Sequence, residues 1–228
     1  MQRIGILGGI SAASTLHYYD TLHRLYYQAH GDYYYPEILV NSLNFQYFTD
    51  LENSADPEPY REYILQGLER LARAGADFAV MAANSPHSVL EDIRPRLPVP
   101  VVSIVDAVGR RARELGMKRL LLTGIAYTMR GTFYPRGLAP YGIQVMVPTP
   151  EEQQRIDHII FSQLAIHQVD AASKAFFLEL LASYPVDGVI LGCTELPQLV
   201  TQADTAVPLL NSLELHCQAA LQYAALPS

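Results

Sequence analysis

Two cysteines in 228 residues, Cys193 and Cys217, are too few for a disulfide framework. That excludes a stapled secreted scaffold and fits a reduced, cytoplasmic setting. No apolar run approaches the roughly 18 residues that a membrane span needs. The start, Met1-Gln2-Arg3 followed by Ile4-Gly5-Ile6-Leu7-Gly8-Gly9, lacks the apolar core of a signal peptide. The 16 basic residues are outnumbered by 23 acidic ones and form no block. A net charge of −7 therefore offers neither nucleic acid nor an anionic membrane an electrostatic footing. A phosphate-loop lysine motif is missing. The seven histidines show no metal-ligand spacing with carboxylates or cysteines, so no metal site is expected. What remains is small-molecule chemistry, in a chain that is 50% hydrophobic and 17% charged and so able to bury a substantial core.

Short apolar runs ending in Gly, Asn or Ser alternate with longer amphipathic stretches, the pattern of parallel strands joined by helices. Strands are expected at Ile4 to Leu7, Pro36 to Leu43, Phe78 to Ala82 and Val99 to Ile104, and again at Arg119 to Thr123, Gln144 to Val147, Gly188 to Leu191 and Val207 to Leu210. Helices are expected from Ser11, as N-cap, to Ala29, from Pro59 to Ala74 with Gly75 closing it, at Pro86 to Leu97, at Gly131 to Tyr141, and from Glu151 to Ser183 with a break near Val169-Asp170. Three landmarks recur in the same order at a separation of about 110 residues, a long-period repeat. The expected fold is α/β with two pseudo-symmetric lobes, each a mainly parallel sheet flanked by helices. Residues 1–105, completed by a C-terminal helix over 211–228, form the first lobe, and residues 106–210 the second.

Two turns follow equivalent strands: Met81-Ala82-Ala83-Asn84-Ser85-Pro86-His87 after Phe78-Ala79-Val80, and Leu191-Gly192-Cys193-Thr194-Glu195-Leu196-Pro197 after Gly188-Val189-Ile190. Ligands of open parallel sheets bind beyond the carboxyl ends of the strands, which is where both turns fall. A thiol at Cys193, near a helix N-terminus, is expected to have its pKa lowered from about 8.5, giving a thiolate near neutral pH. Asn84, Ser85 and Thr194, with the turn amides, are the short donors that hold a carboxylate. Asp187 and Glu195 are both near the thiol in sequence, and spacing alone does not assign either as its base. Cys217, in an apolar terminal helix, reads as structural. The tyrosines at 18, 19, 26, 27, 33, 34 and 35 suit a pocket mouth or a dimer contact as well as ordinary packing.

These residues resemble the aspartate/glutamate racemase superfamily of cofactor-independent amino-acid racemases. The resemblance runs through Ile4 to Gly9, Ala83-Asn84-Ser85-Pro86-His87, Val101-Val102-Ser103-Ile104, Tyr127-Thr128-Met129 and Phe133-Tyr134 to Gly192-Cys193-Thr194-Glu195-Leu196, the last being the most specific. It implies two lobes, often a homodimer, one cysteine per lobe flanking the α-carbon of a small amino acid or related carboxylate, and no pyridoxal phosphate or other cofactor. Cys193 then carries the α-proton, and Asn84, Ser85, Thr128, Thr194 and Glu195 hold the substrate. Removing a proton from one face and delivering one to the other accounts for a duplicated scaffold.

The chain departs from that pattern at Ala83, where the family's first cysteine falls. Ile125 stands where several members offer a hydroxyl, and Ala165 near where some aspartate-specific members present a basic residue. Ala83 has three open explanations: a subgroup trait, a substitution made to trap ligand, or another base on that face, for which His87 is the titratable group within the turn. An amino-acid racemase or epimerase is the leading expectation. One-sided cysteine chemistry, such as decarboxylation or isomerisation of a carboxylic acid, and a non-catalytic ligand-binding homologue are the alternatives.

Overall fold

A computed structural model describes residues 1–227. The chain divides into two compact units, Met1–Ser103 with His216–Ser228 and Ile104–Leu215. The return to the first unit therefore falls inside the last helix, Ser212–Ala224, rather than at residue 211.

In the first unit, β1 (Ile4–Gly8) lies between β2 (Ile38–Ser42) and β3 (Phe78–Met81), all parallel. Ile4 is in register with Ile38 on one side and Phe78 on the other. β1 and β3 are buried along their whole length, which is why they read as continuous apolar runs rather than alternating ones. Three helices feed the sheet: α1 (Ala12–His30), α2 (Phe45–Glu52) and α3 (Glu58–Arg73). Ser11 caps α1, its hydroxyl accepting from the Ser14 amide at 3.3 Å. After α3, Gly75 takes the positive φ of 99° that suits glycine and turns the chain into β3.

The second unit holds four parallel strands in the order β5-β4-β6-β7: β4 (Arg119–Thr123), β5 (Gln144–Met146), β6 (Gly188–Leu191) and β7 (Leu209–Asn211). The expected long helix is split into Pro150–Ser162 and Ala171–Ser183, the second restarted by Asp170, whose carboxylate accepts from the Ala172 amide. The α/β class with parallel sheets flanked by helices is thus borne out.

Two expectations are corrected and one helix is added. Val99 to Ile104 is not a strand: Val101 makes a single parallel bridge to Ala79, and a helix begins at Ile104. Pro98 and Pro100 have no N–H to give, so only a fragment of a ladder forms. The segment Pro86 to Leu97 breaks into two short 3₁₀ turns flanking Leu90–Ile93. Helix α2 had no counterpart in the sequence reading; Asn44 starts it by accepting from the Tyr47 amide at 3.0 Å.

The repeat is visible in how each unit fastens its third strand. Asp77 precedes β3 and accepts from the Arg3 amide at 2.6 Å, while Asp187 precedes β6 and accepts from the Lys118 and Arg119 amides at 2.8 Å each. Those backbone bonds hold both carboxyls below their ordinary range. Asp187 thereby belongs to the entry of its strand and Cys193 to the exit. At the exits the Ala82 amide donates to Leu7 O at 2.8 Å, and the Gly192 amide donates to Thr123 O at 2.8 Å.

Candidate active-site turns

In the second unit the β6 turn is fixed by close backbone approach. A Cβ on Gly192 would lie 2.6 Å from the Thr123 carbonyl oxygen, and one on Gly124 2.9 Å from the Gly192 oxygen, so neither position tolerates a side chain without movement. Cys193 follows half-buried, its side chain packed at the margin of a core cluster that includes Leu191, Leu196 and Leu199. Its thiol donates to Glu195 Oε2 at 2.8 Å, and the Thr194 hydroxyl donates to the same oxygen at 2.7 Å.

This geometry overturns the expectation of a ready thiolate. Burial pushes the Cys193 thiol well above its usual range, and the Glu195 charge and hydrogen bond push the same way. The amides of Glu195 and Thr194 act in the lowering direction with smaller weight, and the helix that follows, Leu196–Leu199, has only four residues. At neutral pH Cys193 is a thiol whose proton already points at a carboxylate. Glu195 accepts from both the sulfur and the Thr194 hydroxyl, which joins the three side chains of this turn.

Thr128 lies in the short helix Ala126–Arg130 of the same unit. Its side chain is fully buried, and its hydroxyl has no hydrogen-bond partner among the described residues. A Cβ on Gly192 would meet the Thr128 methyl at 3.4 Å, which puts this unsatisfied hydroxyl-bearing residue against the Cys193 turn. An unpaired buried hydroxyl costs about 1–3 kcal/mol, and an incoming acceptor would recover it. Ile125 has no hydroxyl to cap this helix, and Asp157 takes that task from the neighbouring Pro150–Ser162 helix, accepting from the Ala126 amide at 2.6 Å. Ala165 is exposed.

The first unit's equivalent turn is built differently. Ala83 is 9% exposed and packs in a core cluster with Phe48, Tyr60 and Met81. The Ser14 hydroxyl donates to the carbonyl of Ala82, which fastens the turn to α1. Asn84 and Ser85 are buried. Ser85 hydrogen-bonds to the Glu52 carboxylate at the end of α2, and the Tyr60 hydroxyl donates to Glu52 Oε1 at 3.1 Å. Glu52 was missed by the sequence reading, since the only signal for it was a carboxylate closing an unrecognised helix. Its desolvation raises the carboxyl's pKa, partly offset by the bonds from Ser85 and Tyr60.

His87, considered as an acid or base, is a buried neutral ring. Burial lowers its pKa to about 3, the neighbouring His216 adds to that, and Nδ1 lies 3.1 Å from the Ala83 carbonyl. A carbonyl only accepts, so Nδ1 carries the proton. The two imidazoles stand edge to face, 5.5 Å apart. His216 in turn accepts from the Tyr18 hydroxyl at Nδ1, 2.8 Å away, and donates from Nε2 to Val102 O at 2.9 Å. The two histidines hold the turn in place. Cys217 is fully buried, as its apolar helix suggests.

Around the exposed end of α1 the tyrosine-rich segment packs on itself, with Tyr26 stacked on His30 and Tyr35 edge-on to Tyr26 and His23, while Tyr33 and Tyr34 remain exposed. Among the described residues no group of three or more His, Cys, Asp or Glu could hold a metal ion, and no helix is long and apolar enough to cross a membrane.

The Asp/Glu/Hydantoin racemase family model matches residues 7–220. The chain belongs to that family. It is 25% identical over 218 residues to the broad specificity amino-acid racemase RacX of Bacillus subtilis (strain 168), with 92% of each chain covered. Among solved structures it is similar to an aspartate racemase homologue from Pyrococcus horikoshii OT3, with a TM-score of 0.88, 35% identity, and 99% of this chain and 100% of that one covered. The Picrophilus torridus aspartate racemase shares the fold, with a TM-score of 0.76 at 19% identity over 98% of this chain and 94% of that one.

Proposed function

We propose that this protein is an amino-acid racemase that works without pyridoxal phosphate and uses Cys193 to transfer the α-proton. The observation that carries the reading is the half-buried Cys193 thiol, 2.8 Å from Glu195 Oε2, with the unpartnered Thr128 hydroxyl beside the same turn.

The resting protonation state fixes the order of events. As a thiol, Cys193 donates its proton to a carbanion at Cα and becomes a thiolate. To act as base it must first lose that proton, and Glu195, already accepting it, is the group that takes it. Glu195 is a positioning residue here, acting through the sulfur. Negative charge spreading into the substrate carboxylate needs donors aimed at it before the reaction begins, a role that suits Thr128 and the amides of the turn. The lack of a basic side chain at Ala165 favours substrates other than aspartate, and the named breadth of the Bacillus relative argues for assaying a wide panel.

Chiral chromatography of each pure enantiomer after incubation with the protein tests this. Loss of optical purity for at least one amino acid, abolished by Cys193→Ala, is the expected result. Optical purity retained across the whole panel would overturn it.

Ala83 favours a second reading, because a turn without a thiol suits protonation from a single face. Under that reading the protein decarboxylates a substituted malonate and yields one product enantiomer. Release of carbon dioxide with a single-handed product would support it, and racemic product would contradict it.

A further inference from the structure

We propose that Thr194 is a positioning residue whose hydroxyl holds the Glu195 carboxylate against the Cys193 sulfur. The inference rests on the reading of Cys193 as the proton carrier and deepens it, by naming what keeps the carboxylate that takes the thiol proton in place.

Three observations carry it, all within the second unit. The backbone of the turn is fastened on both sides of Cys193, with the Gly192 amide donating to Thr123 O at 2.8 Å and the Leu196 amide to Cys193 O at 3.3 Å. That closure gathers the side chains of residues 193 to 195, yet several side-chain torsions separate the Glu195 carboxylate from the backbone and leave its direction open. The Thr194 hydroxyl then lies 2.7 Å from Glu195 Oε2, and the Cys193 sulfur 2.8 Å from the same atom. An ionised carboxylate only accepts, so hydroxyl and thiol both donate to one oxygen. Among the described residues these two are the side chains that hydrogen-bond to Glu195, and no Lys or Arg forms an ion pair with it. Once the sulfur has given up its proton, the hydroxyl is the remaining side-chain donor that keeps Oε2 beside it.

The step that Thr194 serves balances. The Cys193 S–H bond breaks as an O–H bond forms on Glu195 Oε2, and the electron pair stays on sulfur as the thiolate that acts as base. The Thr194 O–H bond stays intact and continues to donate to Oε2. Return of the proton to sulfur runs the same step backwards, and no oxidant or reductant is needed.

Iodoacetamide labelling of Cys193 against pH, without substrate, tests this for wild type, Thr194→Val, Thr194→Ser, Glu195→Gln, and Thr194→Val combined with Glu195→Gln. Cys217 is fully buried, so labelling reports Cys193. Released from Thr194, the Glu195 charge swings off the sulfur and the thiolate forms more readily, so the Thr194→Val profile should shift to lower pH, toward that of Glu195→Gln. Thr194→Ser keeps the donor and should restore the wild-type profile. In the double variant Thr194→Val should add nothing to Glu195→Gln, because the hydroxyl acts through the carboxylate. With an amino acid that the wild type racemises, Thr194→Val should lower kcat by about tenfold or more and leave KM within about threefold. Thr194→Ala carries the same tests if Thr194→Val does not fold. A wild-type labelling profile in Thr194→Val, a shift that Thr194→Ser fails to reverse, or full additivity in the double variant would overturn the assignment. So would a raised KM with unchanged kcat, the mark of a substrate contact. A wild type that racemises no amino acid would overturn the racemase reading alone, and the labelling profiles would still decide the role of Thr194.

Discussion

The turns after β3 and β6 share a backbone and differ in chemistry. Each is tied to its central strand by an equivalent amide bond, Ala82 N to Leu7 O and Gly192 N to Thr123 O, and each strand is entered through an aspartate that caps neighbouring amides. Beyond that frame, the β6 turn presents a half-buried thiol against its own carboxylate, two residues along. The β3 turn presents a methyl group, and its carboxylate comes from a helix that ends more than thirty residues earlier. The lesson is that the two units hold a strand end in the same way while the side chains placed at that end differ.

The comparison is broken most severely at Gly192. Gly192→Ala forces a methyl against Thr123 O and should cost about 2–4 kcal/mol, read as a fall in melting temperature together with loss of activity. A melting curve matching wild type would mean that the close approach is not needed. On the β3 side, Tyr18→Phe removes the hydroxyl that bonds His216 Nδ1, an expected loss of about 0.5–1.5 kcal/mol in chemical denaturation.

Electrostatics gives a sharper test of the β6 turn. Because burial and the Glu195 charge raise the Cys193 pKa, the thiolate is scarce at neutral pH and grows only as pH climbs past the ordinary thiol range. Iodoacetamide should therefore label Cys193 slowly at pH 7 and faster in alkali, with Cys217 buried and silent. Glu195→Gln removes the charge that opposes the thiolate, so labelling at fixed pH should rise. Unchanged or slower labelling would deny the contact its electrostatic role. The smallest stability effect is expected at Thr128. Thr128→Val deletes a hydroxyl that has no partner among the described residues, so stability should hold or gain up to about 1 kcal/mol, while KM should rise roughly tenfold if the proposed substrate contact is lost.

Much of this was legible in the residues. Doubly buried strands announce themselves as apolar runs, so Phe78–Met81 and Gly188–Leu191 were readable almost to the residue, as was the Ser11 cap. Val99 to Ile104 misled because its apolar content resembles a strand, while Pro98 and Pro100 withhold the donors that a ladder needs. Helix α2 escaped because eight residues are too few for the spacing of Phe45, Phe48 and Leu51 to stand out. The state of the Cys193 thiol was misjudged for a different reason: a helix start is visible in sequence, whereas the direction of the Glu195 side chain is set by the fold. Glu52 was invisible on the same principle, since its link to Ser85 joins segments that only the folded first unit brings together.

The most direct measurement is α-deuterium incorporation with product chirality, for wild type and Cys193→Ala, starting from a single amino-acid enantiomer in D2O. The account predicts an inverted, α-deuterated product from the wild type and no inversion from the variant. Inversion that persists without the sulfur would contradict it.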